Sequence, residues 1–174
     1  MDKVQLAKEG DKVAFSELIE EKKFKLYKTA KAILKDEDDV CDALQDCLIR
    51  VYKNINSLQN NEYFDTWMTR ILINKCYDII NKNKKARGNV VEMQEIEEVK
   101  HYDKYNEDSL IDKVLNLIDK DLRLVTIMYY YNDFSVKQIA ENLEIPEGTV
   151  KSRLSRARDR IYEILKKEEG EVVG

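Results

Sequence analysis

The sequence predicts an all-α protein: two small helical domains joined by an acidic linker, with a helix-turn-helix in the C-terminal one. Three observations lead there. The 174 residues include only one Pro and five Gly, few breakers for a chain this long. Apolar residues recur at steps of three and four through most of it, the period of a helix with one buried face. Between 89 and 108 that period gives way to an acidic stretch. The expected boundaries are therefore a first domain over 1–88, a linker over 89–108, a second domain over 109–168 and a tail over 169–174.

The first amphipathic region fills residues 1–35, with Val4, Leu6 and Ala7, then Phe15, Leu18, Ile19, Leu26, Tyr27, Ala30, Ile33 and Leu34 as its apolar positions. The acidic run KDEDD that follows can open a helix, because Asp and Glu favour the positive end of the helix dipole. In the helix VCDALQDCLIRVYKNI, Leu44, Leu48, Val51 and Ile55 make a core stripe, leaving Asp42, Gln45, Asp46, Ile49 and Lys53 more exposed. An Ile among exposed acids hints at a partner surface, although pattern alone favours a solvated face.

Asn56 to Asn61 reads as a loop. The next helix, YFDTWMTRILINKCYDIINKNKKAR, carries Phe64, Trp67, Ile71, Leu72, Cys76 and Ile79 or Ile80 at helical spacing. Aromatics so placed are commonly core. From Arg70 to Arg87, however, six basic residues face one acid, and a basic helix with aromatics at its entrance suits single-stranded nucleic acid. From Glu92 to Asp108 the balance reverses, with seven acids against two lysines. That segment has the wrong sign for a further nucleic-acid contact.

The apolar pattern resumes at Leu110, Ile111, Val114, Leu115 and Ile118. Asp119 is placed to cap the next helix, which carries Leu122, Val125, Ile127, Met128, Tyr129 and Tyr130. The tyrosines are expected to pack against the last helix. Ser135 and Gln138 have the spacing of a capping box, and Ile139, Ala140 and Leu143 form one face of a short helix. Pro146 disfavours helix at Ile145 and suits the first turn of a new one. Beyond it Val150, Leu154, Ala157, Ile161, Ile164 and Leu165 trace a narrow buried stripe.

A short helix, a turn and a longer basic helix describe a helix-turn-helix. From Glu147 to Lys167 there are seven basic residues against three acids, in a chain of net charge −4. This local reversal of sign favours DNA over a merely solvated face. Glu144 occupies the turn position where Gly is common.

Composition sets the outer bounds. With 43% hydrophobic and 37% charged residues the chain is expected to be soluble and to fold. No apolar run approaches a membrane span, and MDKVQLAKEGDKVAF lacks the core of a signal peptide, so a cytoplasmic location is expected. Cys41, Cys47 and Cys76 lack metal-site spacing and read as buried thiols. His101 lies in a polar acidic stretch with no partner nearby. No metal and no cofactor are expected.

Two basic helices in two helical domains with an acidic tether are an unusual combination, and here the chain resembles a known family. It is similar to the extracytoplasmic-function (ECF) sigma factors, the minimal two-domain class of the sigma-70 family. DALQDCLIRVYKNI resembles the family's region 2.2, FDTWMTRILINKCYDII its regions 2.3 and 2.4, and LIDKDLRLVTIMYYYNDFSVKQIA followed by IPEGTVKSRLSRAR its region 4. The resemblance implies an alternative sigma factor that binds core RNA polymerase and directs promoter-specific initiation under an anti-sigma factor, often membrane-bound. The polymerase contacts would be the β′ clamp and the β flap, and no small-molecule substrate is implied.

Residue by residue, the resemblance places Asp42, Gln45, Asp46 and Ile49 against the clamp. It places Phe64, Trp67, Asn74, Lys75, Asp78 and Lys82 at the minus-ten element. Asn74 would lie near a flipped base, and Phe64 and Trp67 would shape the base-binding loop, a core role being an equal alternative for Trp67. Thr149, Lys151, Ser152, Arg153, Ser155, Arg156 and Arg158 fall at the minus-thirty-five element, with Arg156 on a base and Arg153 and Arg158 on phosphates. Cys41, Asp119 and Glu144 depart from the family's usual acid, Pro and Gly. The 20-residue tether over 89–108 extends to about 70 Å and averages roughly 25 Å relaxed. Promoter elements about one and a half turns apart lie roughly 50 Å from each other, so polymerase would have to hold the tether open. In this family the linker is thought to run along the RNA exit path, where its acids would mimic RNA.

Two other classes compete. A free-standing DNA-binding regulator would need a dimer and a palindromic site, and it leaves the second basic helix unexplained. An enzyme acting on nucleic acid would need clustered carboxylates or a phosphate-cradling loop, and the sequence offers neither.

Overall fold

The computed structural model describes residues 2–86 and 110–172, the side chains beyond Lys167 excepted. Among the described residues there are eight α-helices and no strand. The linker and His101 lie outside them.

Aspartates start the first three helices. Asp2 accepts from the Val4 amide ahead of α1 (Lys3–Lys8), Asp11 from Val13 and Ala14 ahead of α2 (Lys12–Ile33), and Asp36 from Asp38 and Asp39 ahead of α3 (Glu37–Asn54). Each satisfies amides that a helix N-terminus leaves bare. Gly10 makes the reversal between α1 and α2 with φ +95°, a value that favours a residue without Cβ. Two short 3-10 turns, Ile55–Ser57 and Asn61–Tyr63, lead into α4 (Phe64–Ala86). The expected loop is thus mostly turn.

In the C-terminal half α5 spans Leu110–Asn116, α6 Lys120–Tyr130, α7 Val136–Leu143 and α8 Glu147–Val172. The capping box is present at α7: Ser135 Oγ accepts from the Gln138 amide, and Gln138 Oε1 accepts from the Ser135 amide. The helix following Pro146 forms as expected and continues past position 168. Asp119 precedes α6, but its side chain makes no capping bond. Arg123 secures this turn instead, donating to the carbonyls of Leu115, Asn116 and Ile118.

One apolar cluster runs through both halves, from Val4 to Ala157. Val40, Ala43, Cys47 and Val51 of α3 face Phe64, Met68, Leu72 and Cys76 of α4 within it, while Val150, Leu154 and Ala157 seat α8 on α6 and α7. Two expectations need correction. Cys41 is exposed, because it lies one position beyond the Val40 stripe. Tyr129 and Tyr130 project to solvent and pack edge-on against each other; Leu122, Val125 and Met128 supply the buried side of α6. The next tyrosine in the run, Tyr131, turns to Phe24 of α2, with ring centroids 6.1 Å apart.

The halves touch along α2–α6 and α4–α7, where polar bonds accompany the apolar packing. Lys28 of α2 forms a buried ion pair with Asp112 of α5 and lies near the rings of Phe24 and Tyr131. Asn132 donates to Thr29 Oγ1 at 2.9 Å, while its own Oδ1 is buried without a hydrogen-bond partner. Among the described residues, no helix is long and apolar enough to cross a membrane.

Candidate nucleic-acid interface

Helix α8 is amphipathic in the way a groove-reading helix requires. Val150, Leu154 and Ala157 are buried, and Lys151, Ser152, Ser155, Arg156 and Arg158 are all exposed. Thr149 is half-buried in the first turn, where its amide bonds back to Pro146 O at 3.0 Å. Ser152 Oγ donates to Thr149 O at 3.0 Å. Arg153 has a different task. Its guanidinium pairs with Asp121 of α6 at 2.9 Å, fixing α8 to its own domain.

The turn before α8 is set by Glu144, whose backbone is left-handed at φ 54°. That region costs a β-carbon-bearing residue energy, which explains why Gly suits the position. Glu144 still closes the end of α7, its amide donating to Ala140 O, and the Ile145 amide also reaches Ala140 O at 3.1 Å. The helix-turn-helix therefore forms with Glu in the turn.

On α4 the expected residues separate by depth. Phe64 is 2% exposed, a core residue whose share in the site is to anchor the entrance of the helix. Trp67 is half-buried against the core, its ring 6.2 Å from that of Phe64. Asn74, Asp78 and Lys82 are exposed along one face, at the i, i+4, i+8 spacing that aligns side chains on a helix. Arg70, exposed and one turn earlier, extends the same row. Its i, i+4 spacing from Asn74 is the signal in the sequence that marks it, beyond its share of the helix's positive charge. Lys75 leans to α3 and lies 3.8 Å from Asp46.

The α3 face is open. Asp42, Gln45, Asp46 and Ile49 are exposed, Ile49 to 53%, beside an exposed Tyr52. Phe15 of α2 backs Tyr52 edge-on at 5.1 Å. An apolar centre rimmed by carboxylates is the form of a protein-docking patch. Thus the acidic-apolar face of α3, the mixed polar face of α4 and the basic face of α8 are three distinct surfaces.

Comparison with known proteins gives a consistent result. Residues 18–86 match the family described as Sigma-70 region 2, and residues 109–161 match Sigma-70, region 4. The chain is 30% identical to the ECF RNA polymerase sigma factor SigW of Bacillus subtilis, over 94% of this chain and 95% of that protein. It is 26% identical to the ECF RNA polymerase sigma-E factor of Haemophilus influenzae, over 91% and 90% of the two. Among solved structures it resembles the sigma factor RpoE of Bartonella quintana, determined in complex with the anti-sigma factor NepR. The TM-score is 0.64 at 26% identity, covering 86% of this chain and 97% of that one. CnrH, determined with the cytosolic domain of CnrY, shares the fold at TM-score 0.64 and 21% identity, covering 95% and 97%.

Proposed function

The chain belongs to the ECF sigma factors of the sigma-70 family, and we propose from this premise how its surfaces divide the work of initiation. It is an alternative sigma factor, which binds core RNA polymerase and directs it to promoters under the control of an anti-sigma factor. The first domain, over 1–88, docks on the β′ clamp through Asp42, Gln45, Asp46 and Ile49. The exposed Ile49 amid carboxylates is the observation that carries this assignment, since an apolar side chain gains by leaving water and the acids select a basic partner.

Helix α4 then takes the non-template strand at the minus-ten element. Asn74 hydrogen-bonds an unstacked base, Asp78 and Lys82 border it, and Lys75 meets the backbone. Phe64 and Trp67 hold the entrance in shape. The second domain, over 109–168, meets the β flap and lays α8 in the major groove at the minus-thirty-five element. Arg156 reads a base there, Thr149, Lys151, Ser152 and Ser155 contribute polar contacts, and Arg158 neutralises phosphate. Arg153 serves chiefly through its bond to Asp121, which sets the tilt of α8. The linker over 89–108 spans the two domains on the polymerase.

Strand opening needs no catalytic group in this scheme. Binding of unpaired bases offsets their lost pairing, and RNA synthesis belongs to the polymerase, so the chain is not itself an enzyme. Its place is the cytoplasm, held at the membrane only when its anti-sigma factor is anchored there. Co-purification with bacterial core polymerase tests the docking face. Ile49→Asp, with Asp46→Lys as a charge control, should weaken capture of core by tenfold or more while leaving the helical circular dichroism unchanged. Retention of wild-type capture in both variants would remove α3 from the interface.

A further inference from the structure

Among the described residues only two non-glycine residues have positive φ, Asp133 at 57° and Glu144 at 54°. Both are acids, and both reach from the C-terminal half to a cation of the N-terminal half. Asp133 Oδ2 receives Lys25 Nζ at 2.7 Å, and Glu144 Oε1 receives Arg70 Nη2 at 2.8 Å. Gly would relieve the backbone at either position and could do neither of these things. Glu lacks even the short side chain that lets Asp or Asn tolerate this region. The carboxylate at 144 is therefore held where its backbone is least comfortable.

Arg70 stands one turn ahead of Asn74, in the row that Asn74, Asp78 and Lys82 continue. A guanidinium there has the charge and the fork geometry to take a phosphate of a strand lying along that row. In the free chain this guanidinium is occupied by a carboxylate, the protein group closest to phosphate in charge and hydrogen-bonding capacity. Gln138 Nε2, which donates to Thr66 Oγ1 at 3.3 Å, lays the first turn of α7 over the start of α4 as well.

We infer that Arg70 is a further contact to the promoter strand and that Glu144 is its internal competitor, so the helix-turn-helix turn must leave α4 before the minus-ten strand can be fully bound. This rests on the sigma-factor reading above. The pair is about half exposed on the arginine side and more on the glutamate side, and exposed pairs contribute little. The competition is accordingly a bias that polymerase docking can overcome.

The two residues are predicted to act with opposite signs. With labelled single-stranded oligodeoxynucleotide carrying the non-template sequence upstream of a mapped start, Glu144→Gln and Glu144→Gly should each bind about two- to fivefold tighter than wild type as free chains. The glycine variant should fold at least as well as the parent, since it removes the left-handed strain. Arg70→Ala should bind about tenfold weaker, both free and as holoenzyme. It should also lower the slope of log affinity against log salt by about 0.7, the amount expected for one lost phosphate contact on a single strand. In Arg70→Ala the Glu144 substitutions should have no further effect.

If Arg70→Ala tightens binding as the Glu144 variants do, Arg70 is only a latch and the inference is overturned. Unchanged affinity in the Glu144 variants, or an unchanged salt slope in Arg70→Ala, overturns it equally. These outcomes are read only against a wild-type holoenzyme that initiates at discrete promoters. Absence of such initiation would instead remove the sigma-factor reading itself.

Discussion

Cys47 and Cys76 lie between α3 and α4, where burial pushes both thiols up to about 12. Cys47 Sγ also donates to Met68 O at 3.7 Å. Cys41 is exposed, so native protein should react with one equivalent of a thiol reagent at neutral pH and with three after denaturation. Rapid loss of all three thiols in native protein would contradict the packing described. The same shifts set a pH dependence. The unfolded chain ionises these thiols from about 9.0, the folded chain only near 12, so their contribution to stability holds below 9 and is lost as pH rises towards 12. Denaturant midpoints across that range should fall, and substitution of both by Ala should flatten the fall. On α8, Arg156→Ala should lower affinity for the minus-thirty-five sequence by about 1–3 kcal/mol and relax preference at one base pair, whereas Arg158→Ala should weaken all sequences alike. At this scale the sequence carried the exposure of the candidate residues: Ile49 and Arg156 are exposed where periodicity placed them, and Asn74, supplied by the resemblance alone, is exposed too. It could not reveal that Arg153 belongs to Asp121, since that bond depends on how α6 meets α8. Cys41 was misjudged because thiols are usually buried, while its helix phase faces it outward.

Helices were legible where a stripe and a cap agreed. At α7 the Ser135–Gln138 box and the Ile139–Ala140 pair specify start and face together, and both are present. Ser135→Ala should cost about 1 kcal/mol, read as a lowered thermal midpoint, with Ser135→Asp recovering most of it. No change in midpoint would mean that the cap is redundant with packing. The acidic opening of α3 was equally readable, with Asp36 accepting two amides and Glu37, Asp38 and Asp39 in the first turn. Leu72→Ala, in the fully buried seam between α3 and α4, should cost about 2–5 kcal/mol and release the α3 docking face from its backing. The α5–α6 turn was misread, because a capping Asp was the simplest local solution. The chain uses Arg123 from the following helix, a choice with no mark in the local pattern. The tyrosines of α6 were assigned to the wrong side for a related reason: Leu122, Val125 and Met128 already fill the buried face.

For the whole molecule, the order of the two halves was legible, but their contact was not. Charge and periodicity describe each helix separately. The pairs that join the halves, Lys28–Asp112, Lys25–Asp133 and Arg70–Glu144, are each far apart in sequence and individually unremarkable. Three ion pairs and an unpartnered buried Asn132 Oδ1 share this contact with apolar packing, and water can replace its polar part when the halves separate. Separation is also what the competition between Glu144 and the promoter strand calls for, since the Arg70–Glu144 bond holds the turn before α8 against α4. A pair of fluorophores, one on each half, should therefore report a short distance in the free chain and a long one in holoenzyme. An unchanged distance on binding core would contradict the opening.

The central claim, that this chain confers promoter choice on polymerase, is most directly tested by run-off transcription with bacterial core enzyme on fragments of the genome that encodes it. Transcripts should arise from discrete start sites only when the chain is present, and should be lost with Ile49→Asp. Transcription that is indifferent to the chain, together with tight dimeric binding to duplex DNA in the absence of polymerase, would contradict it.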